Sequence, residues 1–594
     1  MSTTMSMFMS CRRLHAIGWL TAALGLLSCS DGSIRCGADQ VSCAGACQPA
    51  STPCVEPDVT LRSLVPAVGE LSPAFSPSTL EYTLSVPSWL GRVALTPTLE
   101  RPGASIQVGP FPTPSGVEAV PTTVAPGTTP IPVTVTAESG LSRTYRVLAQ
   151  VSQPTQHYLK PSPTVANARF GTALAIDGDT LVVSARHEDA GTEPALVDIG
   201  AVYVFRFDGR AWVQEARILP GPRFNGYGAS VAVQGDLLAI GAPWRSGIGV
   251  VEIYERSGGT WQYRDSVWPP VSFGRDSFGM RLALAGDTLA VSMPNNPGGA
   301  SGVNSDFGNT DKPGSGAVYV FRRQGNTWQH EAFVKALDPD IDDQFGCSLA
   351  LSGDDLVVGA CREASAGRGA QASPLDNSAP ASGAAYVYSR VGSSWTVRAY
   401  LKASNAQAGD RFGCSVAMGA NTLAVGACGE DSQAAGIGGD ESDDSQADSG
   451  AVYVFARSGA AWTQQAYIKA GYPGAGDQFG YSLSMSADGQ VLAVGAATEA
   501  HLGVGINPQP YDRSAWDSGA AYVFRRARGR WRQEAYLKAP NAGIGDRFGE
   551  TVLLAPDGRS LLIGAIGEAS QATGSNGDDA DNSRFASGAA YLYR

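Results

Sequence analysis

Short apolar runs, each closed by Gly, Asp, Asn or Ser, recur through residues 155–594, among them "LVVSA" 181–185, "LAIGA" 238–242, "LAVGA" 423–427 and "LLIGA" 561–565. A hexamer follows each run. It reads "GAVYVF" at 200–205, 316–321 and 450–455, and "GVVEIY" 249–254, "GAAYVY" 383–388, "GAAYVF" 519–524 or "GAAYLY" 588–593 elsewhere. An aromatic-glycine pair comes before each run, with its aromatic at Phe170, Tyr227, Phe278, Phe345, Phe412, Phe479 and Phe548, spaced by 57, 51, 67, 67, 67 and 69 residues. Downstream lies a tryptophan-led run such as "WTQQAYIKA" 462–470. Val, Ile, Tyr and Phe dominate these runs and turn formers separate them, so each unit predicts four short strands. The two middle runs are apolar without alternation, which predicts strands buried on both faces, as stacked sheets bury them.

Seven repeats of this length point to a propeller or array. Only six tryptophan runs exist, led by Trp212, Trp261, Trp328, Trp395, Trp462 and Trp531, and the last unit ends at its hexamer. Yet "QHYLKP" 156–161 matches "RAYLKA" 398–403 and "EAYLKA" 534–539. A strand from the start of the repeat region thus completes the last unit, and the ring leaves no bare sheet edge. The expected fold is all-β, a seven-bladed β-propeller over 153–594 closed by that donated strand, behind a small β-sandwich.

The aromatic-glycine pairs and hexamers resemble the FG-GAP repeat family, whose best-known members are the seven-bladed propellers of integrin alpha chains. Family propellers often carry a DxDxDG calcium loop between the first two strands of a blade. This chain has short turns there, such as "AIDGDTL" 175–181 and "SADGQVL" 486–492. The acidic residues sit instead in the long loop before the hexamer: Asp440, Asp443 and Asp444; Asp578, Asp581 and Asn582; Asp376 and Asn377. Such oxygens either hold calcium, which takes six to eight of them, or close Asx turns and keep the loops soluble.

Residues 58–152 alternate apolar and polar, as in "LEYTLSV" 80–86 and "IPVTVTA" 131–137, the pattern of half-buried strands. "LRSLVPAVGELSPAFSPSTLEYTLSV" 61–86 and "TVTAESGLSRTYRVLAQ" 134–150 resemble the bacterial cadherin-like β-sandwich domain, which implies a spacer without catalytic residues.

Residues 1–28 read as an export signal, with Arg12 and Arg13 ahead of "AIGWLTAALGLL" 16–27, a stretch too short to favour a membrane span. Its end, "LLSC" 26–29, resembles the lipobox of bacterial lipoproteins and implies an acyl chain on Cys29, holding the protein at the outer membrane or cell surface. Export makes disulfides possible. In the linker 29–57, Cys36, Cys43, Cys47 and Cys54 predict two bridges in one of three pairings, with a zinc site as the alternative. Cys347 with Cys361, and Cys414 with Cys428, flank equivalent hairpins of blades four and five. They are expected as disulfides, the alternative being four thiols.

The net charge of −12 argues against a nucleic-acid partner, which requires a basic face. Five histidines do not cluster, and neither "HE" pair has a second His at metalloprotease spacing. No catalytic set emerges. The expected role is binding or adhesion, with the propeller loops presented to a protein or glycan. The alternatives are a carboxylate-dependent hydrolase at the propeller axis and a purely structural envelope protein.

Overall fold

The computed structural model describes residues 40–43, 46–49, 59–87, 89–151, 156–189, 191, 197–221, 226–306, 308–509, 512–527 and 529–594. It divides into two compact units, one drawn from within Met1–Leu84, Ala94–Thr122 and Pro130–Leu148, the other from Ser85–Val93, Thr123–Thr129 and Ala149–Arg594.

In the first unit the order Leu71–Ser72, Glu81–Val86, Ser142–Val151, Gly127–Ala137, Ala104–Val108, Phe111–Pro112 makes a six-stranded sheet, and Leu61–Pro66 pairs with Leu95–Leu99. Every second residue of Glu81–Val86 is buried, as the alternation requires. Buried Tyr145 accepts the Leu61 N–H at 3.1 Å and donates to the Pro77 carbonyl at 3.1 Å, satisfying its hydroxyl inside the sandwich.

The second unit holds seven antiparallel sheets. Blade one is Phe170–Asp177, Thr180–Ala185, Ala201–Phe207 and Trp212–Ile218, and blades two to five repeat that order of four strands. Blade six adds Gly505–Ile506 at its edge. Blade seven combines Phe548–Leu554, Leu561–Ala565 and Ala589–Tyr593 with His157–Lys160 from the other end of the region, and Tyr158 stands opposite Tyr591. All six residues of the second strand are buried in blades one to six, because these strands are covered on both faces by neighbouring blades. One apolar cluster spans blades four and five, from Val357 to Phe412 and Tyr453. Another joins blades one and seven through Phe170, Leu181, Leu562 and Leu592.

Two glycines explain why the motifs repeat. The first residue of the hexamer has positive φ, 80° at Gly450 and 81° at Gly588, and a Cβ there would strike the carbonyl of the next blade's aromatic, Phe479 or Phe170. The second-strand glycine lies against the next aromatic-glycine pair: Gly426 against Gly480, and Gly564 against Gly171. Blades therefore touch backbone to backbone, and blade seven meets blade one through the same contacts as blade five meets blade six. Where Ser184 and Ser292 replace that glycine, their Cβ atoms fill the space beside Gly228 and Gly346.

Candidate functional site

Chain direction places the connection between the second and third strands, and the link to the next blade, on one face of the propeller. This is the long-loop face. Its loops are held from beneath by a buried cluster that recurs in blades four to seven. In blade five, Lys469 Nζ donates to Glu430 Oε2 at 2.6 Å and to Ser449 Oγ at 2.7 Å, and Tyr467 donates to Glu430 Oε1 at 2.6 Å. Blade four uses Lys402, Glu363, Ser382 and Tyr400 at 2.7–2.8 Å. Blade six uses Lys538, Glu499, Ser518 and Tyr536. In blade seven Lys160 and Tyr158 reach Glu568 at 2.7 Å across more than 400 residues of chain, so this cluster also ties the two ends of the repeat region together. Burial pushes each of these ammonium groups down and the paired carboxylate pushes it back up.

Blade three departs from the pattern. Asn296 occupies the glutamate position, and Lys335 Nζ is left with Ser315 Oγ at 2.8 Å and the Gly316 carbonyl at 2.5 Å. Burial without that carboxylate pushes its ammonium down to about 7. Blades one and two substitute arginines: Arg217 reaches Glu188 at 2.5 Å and Arg245 reaches Glu252 at 2.8 Å.

The loop carboxylates read as possible calcium ligands are engaged by backbone amides. Asp443 accepts the Gln433 and Ser445 N–H at 2.9 and 3.0 Å, and Asp581 those of Gln571 and Ser583 at 3.2 and 2.9 Å. Asp376 accepts Ala366 and Ser378, Asp440 accepts Ser442, and Asp578 accepts Ala580. Asp444 takes the side-chain amide of Gln407 and Asn377 donates to Asp340, while Asn582 lines a groove with Ile544 and Phe585. The bonds of Asp376, Asp440, Asp443, Asp578 and Asp581 to the N–H two residues on are Asx turns. Among the described residues no three His, Cys, Asp or Glu side chains converge on a metal position. In the first hairpin turn, where the family loop would lie, Asp177 accepts the Gly235 N–H at 2.6 Å.

The acid two residues before the aromatic-glycine pair holds a turn. Asp276, Asp343, Asp410 and Asp546 accept backbone N–H groups at 2.6–2.8 Å, whereas Asp477 is held by Arg513 at 2.5 Å. Burial raises the carboxyls of Asp343 and Asp410 to about 7.

The expected pairs Cys347 with Cys361 and Cys414 with Cys428 do come together, but as four thiols. Beside a bulge between Phe345 and Ser348, the Cys347 Sγ accepts the Cys361 N–H at 3.1 Å. Cys414 and Cys428 repeat this at 3.2 Å. Cys43 and Cys47 fall in the hairpin of Gln40–Cys43 with Ala46–Pro49, and Cys29, Cys36 and Cys54 lie outside the described residues.

The buried clusters escape a reading of one repeat at a time. Their signal is a glutamate three residues after the second strand, a serine before the hexamer glycine and a lysine closing the tryptophan strand. At the propeller axis a cavity of about 440 Å³ is lined by first strands of all seven blades. Its lining includes one carboxylate, Glu550.

The FG-GAP repeat model matches residues 155–205, 328–388, 395–455 and 462–524, and the cadherin-like beta sandwich domain model matches 57–150. The comparison with curated proteins returns no match. Among solved structures, a chain of "Crystal Structure of Mitotic Checkpoint Complex" is similar at 14% identity and a TM-score of 0.39, covering 74% of this chain and 94% of that one. That likeness is too slight to weigh on function. With matched repeats, sheets of matching register and an alternating sandwich ahead of them, the chain carries FG-GAP repeats and a cadherin-like beta sandwich domain.

Proposed function

We propose that this protein is an exported binding scaffold, anchored by an acyl chain on Cys29, whose long-loop face takes a protein or glycan partner. FG-GAP and cadherin-like domains together support an adhesion or binding role. One observation carries the choice of face. The four most exposed large apolar side chains, Leu375 at 77%, Phe585 at 75%, Ile544 at 73% and Trp516 at 71%, all stand on long-loop connections. Apolar and aromatic groups held out on braced loops are the usual anchors of a binding surface. The buried lysine clusters beneath supply the bracing, which lowers the ordering cost of association.

A hydrolase at the axis would need two carboxyl groups about 5–9 Å apart. The axial lining supplies Glu550 alone among the described residues. No helix of the described residues is long and apolar enough to cross a membrane, so attachment in this reading rests on the acyl chain.

The test is surface plasmon resonance of the full chain against a glycan array and an envelope-protein fraction, with and without calcium. Ligands that bind the wild type are expected to lose at least about tenfold in affinity to Phe585→Ser or Trp516→Ser, as for hot-spot truncation. Binding that ignores both substitutions would move the partner to another surface.

A further inference from the structure

The axial cavity opens on the long-loop face, and its wall is built in two tiers. In six blades the residue after the aromatic-glycine pair forms a rim that includes Thr172, Cys347, Cys414, Tyr481 and Glu550. Two residues deeper, every blade contributes one Leu or Val, from Leu174 in blade one to Val552 in blade seven, an aliphatic collar around the axis. Two cations join the lining. Arg186, one residue beyond the second strand of blade one, and Arg281, on the first-strand approach of blade three, both line the cavity.

Arg186 meets no carboxylate among the described residues, and Arg281 shares its one nearby acid, Glu550, with Arg547 and Arg169. The Arg281 Nε donates to the Cys347 carbonyl at 3.2 Å and its Nη1 to the Met280 carbonyl at 3.3 Å, so its hydrogen bonds go to neutral oxygens. The Arg186 guanidinium lies over the Trp244 ring at 4.3 Å, and its Nε is buried without a hydrogen-bond partner. Burial, and repulsion from Arg281 and Arg169, push Arg186 down to about 10. The one acid in the lining, Glu550, is engaged by Tyr481 at 3.4 Å and by Arg547, whose Nε is 3.0 Å away but misaligned for a hydrogen bond. A chain of net charge −12 thus gathers more cationic than anionic side chains at a cavity whose lower tier is aliphatic.

Cations in excess of their counter-charge favour an anion, and a buried N–H without an acceptor asks for one. The aliphatic collar below rewards a hydrocarbon chain. We infer that the propeller axis is a binding site for a small amphipathic carboxylate, its head between Arg186 and Arg281 and its aliphatic tail among the collar residues. This site is separate from the loop tips, so it stands or falls independently of the partner assigned to them.

Isothermal titration of the full chain with sodium acetate, butanoate and hexanoate, and with hexanol, tests this. Hexanoate is expected to bind at one site per chain, each added methylene tightening binding roughly threefold to fourfold. Hexanol, lacking the charge, is expected to give no saturable heat. Arg281→Gln, at an exposed position, and Arg186→Gln are each expected to weaken hexanoate about tenfold or more, with far-UV circular dichroism unchanged. The proposal is overturned by absence of hexanoate binding, by affinity that does not depend on chain length, by equal binding of hexanol, or by hexanoate affinity unchanged in folded Arg281→Gln.

Discussion

Blades three and five differ at one buried position of a shared framework. Both place a lysine at the end of the tryptophan strand, Lys335 and Lys469, with no solvent exposure, and both give it a serine partner, Ser315 and Ser449. Blade five adds Glu430, which neutralises the charge and takes the Tyr467 hydroxyl as well. Blade three has Asn296, which spends its Oδ1 on the Gly298 N–H at 3.0 Å. The same fold thus tolerates a buried ammonium with and without its counter-ion. What changes is the electrostatic environment: a paired charge in blade five, and in blade three a lysine whose protonation is in balance near neutral pH. A buried pair is costly to break even when making it contributes little net stability, so the two blades should answer very differently to substitution.

The largest effect is expected from breaking the paired blade. Glu430→Gln leaves Lys469 charged and buried, and should lower stability by about 3–5 kcal/mol, read as a fall in the urea midpoint. Asn296→Ala in blade three removes no charge and should cost about 1 kcal/mol by the same measurement. Equal losses in the two blades would erase the distinction.

Converting blade three is the next step. Lys335 has a folded pKa below its unfolded value near 10.4, so the unfolded chain holds the extra proton between the two values. Stability should therefore climb as pH rises from about 7 toward about 10. Asn296→Glu supplies the missing carboxylate, and thermal melts across that window should show the climb flattened, with the gain over wild type greatest at pH 7 and below. A slope unchanged by the substitution would mean that Lys335 is not its source.

Asp410 has the opposite sign. Its folded pKa of about 7 lies above the unfolded value near 3.9, so the folded chain keeps the extra proton and stability falls as pH rises through that interval. Asp410→Asn retains an acceptor for the Gln407 N–H and should melt higher than wild type at pH 8, with little difference at pH 4. The smallest effect belongs to the loop tips. Leu375→Ser alters an exposed side chain and should leave stability within about 0.5 kcal/mol of wild type, so a binding loss there could not be blamed on unfolding.

Much of the architecture was legible from residue type and spacing. The aromatic-glycine pairs, the unbroken apolar runs and the lone "YLK" at 158–160 are consequences of local demands: positive φ, close backbone approach and an edge that needs a strand. The turn-forming role of Asp343, Asp410 and Asp546 follows from short-range hydrogen bonding and was equally readable. The cysteine pairs were placed correctly across their hairpins, but the bulges after Phe345 and Phe412 leave no trace in the spacing. Loop acids such as Asp443 could be counted but not assigned, because an Asx turn and a metal ligand use the same residue types.

Composition and periodicity by themselves determined the strands, the blade count and the small residues at blade contacts, since each answers to a steric or hydrophobic requirement met within a few residues or in a neighbouring copy. Only the tertiary structure decided which charges meet. Glu430 finds Lys469 across 39 residues, Lys160 finds Glu568 across 408, and Arg186 shares the axis with Arg281 from another blade. Charge interactions in a buried setting depend on distance and dielectric, and both are set by closure of the ring rather than by any stretch of chain.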